Sequence, residues 1–156
     1  MNPLLAVMTK SETRAMTLEQ LVRVYYDLFN TGCLDEAGQL VDVEAVFHYL
    51  PTKQRLLGRA GYRALAAGWL IAFEDAQLEI RAIHTLDHHT VVVDFVGRGT
   101  HTGDLVLGED ITIPATGRRT ELAFRDTLDI RDGLIVQSLL DFDVDELRRK
   151  LTGETG

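Results

Sequence analysis

The sequence predicts an α+β domain in which helices pack on one face of a mainly antiparallel sheet. Three observations carry that prediction. Apolar residues recur at helical spacing through the first half of the chain, and at a period of two through four long segments of the second half. The two regimes follow one another instead of alternating, which separates this class from parallel α/β folds. A length of 156 residues with 46% hydrophobic content suits one core and leaves no room for a second folding unit. No internal repeat, low-complexity tract or linker interrupts the chain.

Taken in order, residues 1 to 16 read as a flexible tail. Their apolar start, PLLAVM, has neither the basic leader nor the small-residue cleavage site of a signal peptide. The domain is expected over residues 17 to 151, with 152 to 156 as a second tail. From 17 to 30, Leu18, Leu21, Val22, Tyr25, Leu28 and Phe29 follow a helical period, and Thr17 with Gln20 has the spacing of a capping box. Asn30-Thr31-Gly32 is the stop signal, because asparagine and glycine tolerate the left-handed conformation that ends helices. A short helix over about 34 to 41 follows, then EAVFHYL as a strand and PTKQRLLG as a turn with a short extension. The alanine-rich RAGYRALAAGWLIAF is a second long helix. Strands are predicted at about 77 to 87, 89 to 100, 118 to 131 and 134 to 142. DVDELRRKL closes the chain as a helix, with Asp143 and Glu146 placed as its capping box.

Composition removes several classes of function. A formal net charge of −8, with 16 basic residues and no extended basic tract, argues against nucleic acid as a partner. No stretch reaches the roughly 18 apolar residues of a membrane span, so a membrane is not expected as a partner either. Cys33 is the only cysteine, which precludes an intrachain disulfide and suits a reducing, cytoplasmic location. The adjacent pair His88-His89 is expected in a turn, because neighbouring strand residues face opposite ways and cannot chelate one metal.

Strand parity then singles out residues on the wrong face. In RRTELAFRDTLDIR, Asp126 shares its parity with Leu122, Phe124, Leu128 and Ile130. In the preceding strand, His101 shares parity with Val91, Val93, Phe95, Gly97 and Gly99, unless a bulge intervenes. In QLEIRAIHTLD, His84 joins Leu78, Ile80, Ala82 and Leu86 as a second histidine on the apolar face. A solid core resists an unpaired carboxylate, whereas a cavity tolerates one, and glycines on an inward strand leave space. The competing reading of Asp126 is a structural carboxylate satisfied by buried backbone or a hydroxyl. Each histidine is equally open to a core or rim role, and Asn30 to a helix cap. Tyr25, Tyr26, Tyr62 and Trp69 read first as core packing and second as pocket lining.

The residues GTHTGDL, PATGRR and Asp126 six positions ahead of Asp132-Gly133, together with YYDLFNTG, AFED and IRDGLIVQSLLDFD, occur in an order that resembles the SnoaL-like polyketide cyclases. That family belongs to the nuclear-transport-factor-like α+β cone superfamily, and the likeness runs from about residue 17 to 151. The resemblance implies a curved sheet wrapped by helices around an apolar pocket, a homodimer, and no metal or organic cofactor. It also implies a general acid/base role for Asp126 and site positions at His101, Asn30 and Asp141. Two departures stand out. The link from His101 to Pro114 contains LVLGEDITI and is longer than usual, and Ser138-Leu139-Leu140 stands where relatives often carry tryptophan.

The expectation is therefore a cofactor-independent enzyme in which Asp126 moves a proton next to a carbonyl of an apolar, cyclic substrate, by aldol cyclisation or double-bond isomerisation. His101 would bond the enolate oxygen or tune Asp126. His84, Asn30, Asp141, Phe124, Phe95 and Trp69 would bind the substrate, a small apolar molecule. A hydrolytic variant would use Asp126 and Asp141 to position water on an epoxide. A binding module without chemistry, or a filled structural cone, stands as the alternative. Val92, Val96, Ala123 and Thr127 on the outward parity are the expected dimer face.

Overall fold

The structure, a computed structural model, describes residue 12 and residues 15 to 153. The expected tail over residues 1 to 16 lies almost entirely outside the described residues, although Met16 packs against the core. Helix α1 spans Leu18–Asn30. Thr17 caps it reciprocally with Gln20, the Gln20 N–H donating to Thr17 Oγ1 at 3.1 Å and the Thr17 N–H to Gln20 Oε1 at 3.0 Å. The short α2 (Leu34–Gly38) stops before the predicted residue 41, because β1 (Val41–Tyr49) begins there. β2 (Gln54–Leu57) pairs back on β1, and α3 (Gly58–Ala72) follows without a break.

The remaining strands are β3 (Gln77–Thr85), β4 (Thr90–Thr100), β5 (Leu105–Val106), β6 (Thr112–Ile113), β7 (Arg119–Arg131) and β8 (Leu134–Phe142). Six of the strands form one open sheet in the order β2-β1-β8-β7-β4-β3, antiparallel except where β1 runs parallel to β8. β5 and β6 form a separate small hairpin inside the long link after His101, an element the sequence reading did not anticipate. Its Leu105, Leu107 and Ile113 are buried, so the longer link extends the core. Helix α4 (Val144–Thr152) is capped by the Asp143 carboxylate accepting from the Glu146 N–H, and Gly153 ends it at φ +75°. Residues 152 and 153 thus belong to the helix and its cap, not to a tail.

Burial along β7 alternates as parity requires, with Leu122, Asp126, Leu128 and Ile130 buried between exposed or half-buried neighbours. β4 agrees through Val91, Val93 and Phe95. β3 does not. Leu78 and Ile80 sit opposite Gly97 and Phe95, but Arg81 is an extra residue, after which Ala82 faces Asp94 and Ile83 faces Val93. The bulge puts the larger Ile83 over the core in place of Ala82, and it reverses the side on which every later residue lies. The core fills the space between this face and α1 and α3. The opposite face carries cross-strand ion pairs, Arg98 with Glu79 and Glu121 and Arg125 with Asp94, between half-buried Val92 and Val96. Among the described residues, no helix is long and apolar enough to cross a membrane.

Candidate active site

The inward face and the two long helices enclose a partly open cavity of about 100 Å³. Its wall is largely aromatic because α1, α3, β4 and β7 all contribute rings, while β3, β8 and α4 add Leu78, Leu140 and Leu147. Phe95 and Phe124 stack in parallel from β4 and β7, with centroids 5.0 Å apart and planes 4° apart. Trp69 from α3 meets Phe124 edge-on at 5.6 Å, and Tyr26 from α1 meets Phe95 in the same manner at 5.0 Å. These geometries set ring edges against ring faces, as aromatic quadrupoles prefer. Phe95, Phe124 and Trp69 therefore lie where the sequence placed them, on the cavity.

Asp126 is the acidic group of that wall and is only 7% exposed. Two hydroxyls hold it: Ser138 Oγ donates to Oδ1 at 2.6 Å, and Tyr26 Oη donates to Oδ2 at 3.2 Å. Burial raises its pKa from 3.8 to about 6, and the two hydrogen bonds, first Ser138 and then Tyr26, restrain the rise. A carboxyl with that pKa is a base at neutral pH and, once protonated, an effective acid. Phenols cluster beside it. Tyr25 and Tyr62 line the same cavity, with ring centroids 5.3 Å apart, and burial is the main cause holding the Tyr25, Tyr26 and Tyr62 hydroxyls well above the ordinary phenol range.

Other expected site residues are placed differently. His101 points inward as parity predicted and is completely buried, but it sits beyond the cavity wall with its ring stacked on Phe73 at 5.3 Å. Its Nδ1 lies 2.9 Å from Thr116 Oγ1 and accepts from the Thr116 N–H at 3.3 Å, which ties the start of the long link to its end. Burial lowers its pKa, partly offset by backbone at Ile113 and by Asp104, so the imidazole is neutral at pH 7. The neighbouring glycines do make room, but for rings of the protein. A Cβ on Gly99 would lie 2.9 Å from Phe73 Cβ, and one on Gly97 would lie 3.0 Å from Phe124 Cε1.

His84 is corrected outright. The Arg81 bulge turns it to the outward face, where its side chain is 61% exposed and 3.9 Å from Asp94. Asp141 is also exposed, opposite Arg125 on the outward side of β8, so it cannot pair with Asp126 to position a water molecule. Asn30 is consumed by backbone: its Nδ2 donates to the Leu78 carbonyl at 2.8 Å and its Oδ1 accepts from the Leu78 N–H at 2.7 Å. The amide acts as a one-residue strand that fixes α1 to the edge of the sheet. Neither of the two groups that hold Asp126 was read in the sequence as its partner. Ser138 was legible, since it shares the apolar parity of Leu140 and Phe142, whereas nothing in the sequence pairs Tyr26 with a residue 100 positions away. Among the described residues, no group of three His, Cys, Asp or Glu side chains is placed to hold a metal ion.

Fold and site together define an α+β domain with an acidic group in an aromatic cavity, and comparison gives that class its family. A family model described as SnoaL-like polyketide cyclase matches residues 19–151, so the chain belongs to that family. Among solved structures, a SnoaL-like polyketide cyclase from Agrobacterium tumefaciens is similar at 21% identity and TM-score 0.70, over 87% of this chain and 98% of the other. TsrD from Streptomyces laurentii is similar at 26% identity and TM-score 0.73, over 88% and 96%. A candidate ketosteroid isomerase from Kribbella flavida is more distant in shape, at 20% identity and TM-score 0.59, over 85% and 78%. No curated protein matches the sequence.

Proposed function

We propose that the protein is a cofactor-independent acid/base enzyme of the cyclase or isomerase type, acting on a small, apolar, cyclic carbonyl compound in a reducing, cytoplasmic setting. One observation supports this reading above the rest: a buried carboxyl, held by two hydroxyls, forms part of the wall of an otherwise apolar cavity. In the proposed step the Asp126 carboxylate takes a proton from the carbon next to the carbonyl, and the electron pair of that C–H bond moves onto the carbonyl oxygen. Where a double bond adjoins that carbon, the resulting dienolate regains the proton from Asp126 at the far end of the conjugated system, which is isomerisation. Alternatively the enolate attacks a second carbonyl, whose alkoxide takes the proton, which is aldol cyclisation. Tyr26 and Ser138 keep the carboxylate oriented through both halves. Desolvation by the aromatic wall makes it a stronger base than a carboxylate in water.

The test uses cyclohexanone in D₂O and follows exchange of its α-hydrogens by proton NMR. The protein is expected to accelerate exchange beyond the same concentration of acetate, and Asp126→Asn to lower that rate by about 10²-fold to 10⁴-fold while the fold is retained. A folded Asp126→Asn variant that exchanges at the original rate would leave the competing reading, a structural carboxylate satisfied by buried hydroxyls. Binding of the ketone without exchange would point to the binding module instead.

A further inference from the structure

We infer that Thr120 is a specificity-determining residue at the end of the cavity remote from Asp126, and that the substrate is an apolar compound with a second oxygen far from its carbonyl. The inference rests on the acid/base reading of Asp126 and extends it to the other end of the bound molecule. Along the inner face of β7 the side chains run Thr120, Leu122, Phe124, Asp126, and all four line the cavity. The Asp126 end is polar through its carboxyl and through the grouped phenols of Tyr25, Tyr26 and Tyr62. The middle is apolar, with Leu122 beside the stacked rings of Phe95 and Phe124. Thr120 makes the opposite end polar again. Arg98 also borders the cavity, but its guanidinium is committed to Glu79 and Glu121 on the outer face of the sheet.

The Thr120 hydroxyl is not used by the protein. It has no hydrogen-bond partner among the described residues, whereas Ser138, the inward hydroxyl of β8, is bonded to Asp126. Nor is it sealed off: the unpartnered side-chain atoms that the protein encloses fully belong to Thr52, Tyr62, His101 and Asp129. Thr120 shares its parity with Asp126, and the pairing of β7 with β4 runs from one to the other without a bulge, so the accessible part of the hydroxyl lies on the cavity side. A branched side chain suits a strand by itself. Valine would supply that branching without setting an unpaired hydroxyl on the wall. A ligand that fills this end displaces water from the hydroxyl, and it either returns the hydrogen bond or forfeits it. The strand from Thr120 to Asp126 measures about 20 Å along the backbone. With a hydrogen bond of about 2.8 Å at each end, the two ligand oxygens lie no more than about 15 Å apart.

Cyclohexanones with a 4-alkyl chain from methyl to hexyl, each with and without a terminal hydroxyl, provide the test. Their affinities are measured by NMR titration on the original protein, on Thr120→Val and on Thr120→Ser. In the original protein the hydroxylated compound should match or exceed its plain counterpart only among the longer chains, because a short chain leaves its hydroxyl against Leu122 and Phe124. At the matching length Thr120→Val should lower the ratio of the two affinities about tenfold, and Thr120→Ser should preserve it. The melting temperature of Thr120→Val should stay unchanged, since no bond within the protein is lost. A nuclear Overhauser effect in the original protein should join the hydroxylated end of the ligand to the Thr120 methyl group. Three results would overturn the inference: no such effect, an affinity ratio that Thr120→Val leaves as it was, or a melting temperature several degrees lower in Thr120→Val, which would assign the hydroxyl to the fold. Exchange of α-hydrogens in D₂O keeps the two readings apart. Discrimination by Thr120 without exchange would remove the acid/base reading and leave Thr120 standing, whereas exchange without discrimination would remove the Thr120 assignment alone.

Discussion

At the scale of the residue, the proposed chemistry depends on how far Asp126 is kept from its ordinary pKa, and its two hydroxyl partners set that distance in opposition to burial. Activity that needs the carboxylate should rise with pH through about 6, where Asp126 titrates. Ser138→Ala and Tyr26→Phe each remove a bond that favours the charged form, so each should move that midpoint upward, Ser138→Ala further because its bond is the shorter, at 2.6 Å against 3.2 Å. A pH profile of the exchange rate reads this directly, and an unmoved midpoint would show that neither hydroxyl tunes the carboxyl. The inward position of Asp126 was legible because parity in a strand is rigid: β7 runs through Asp126 without a bulge between it and Leu122. Its partners were only half legible. Ser138 obeys the same parity, but a helix residue such as Tyr26 is directed by the packing of α1 over the sheet, which no local period encodes.

At the scale of the element, most boundaries followed from local chemistry, and the departures have local causes. Thr17 and Gln20 announced the start of α1, and the alternation of β4 and β7 announced the sheet. The Arg81 bulge in β3 was not announced, since alternation through Ala82 and His84 reads as well on paper as alternation through Ile83, and only the opposing Val93 decides between them. The parallel pairing of β1 with β8 was equally hidden, because it joins segments about 90 residues apart. Asn30 shows how one side chain connects two elements. Asn30→Ala removes two bonds to Leu78, one to its N–H and one to its carbonyl, at an edge strand that water can reach only in part. It is expected to destabilise the fold by about 1–2 kcal/mol, visible as a lower urea midpoint. Because the amide does not face the cavity, the exchange rate of the folded variant should stay within about twofold of the original. A large loss of rate at undiminished stability would place Asn30 in the site after all.

At the scale of the whole molecule, the cavity and the stability of the fold are one problem, since a carboxyl that is useful as a base is held where its charge is poorly solvated. The folded pKa of Asp126 is raised from 3.8 to about 6, so its contribution favours the folded state most fully below pH 3.8 and is lost as pH rises through 6. A change of that size corresponds to about 3 kcal/mol once the carboxyl is fully ionised. Other groups act in the opposite sense. His101 has a lowered pKa, so its contribution is present above 6.5 and declines as pH falls, and the exposed Asp75, Glu79 and Asp87 and the half-buried Asp94, all lowered, lose theirs only below their ordinary values. The stability curve of the protein alone would therefore mix opposing slopes between pH 4 and 7. The difference between that curve and the curve of Asp126→Asn cancels every group except Asp126. That difference should favour the variant increasingly from pH 4 to pH 6.5 and level off above it, provided the amide keeps its bonds to Ser138 and Tyr26. Urea denaturation of both proteins at half-unit pH steps measures it. A flat difference would mean that the carboxyl titrates alike in the folded and unfolded chains, and a difference of opposite sign would mean that Asp126 holds the fold together through its charge.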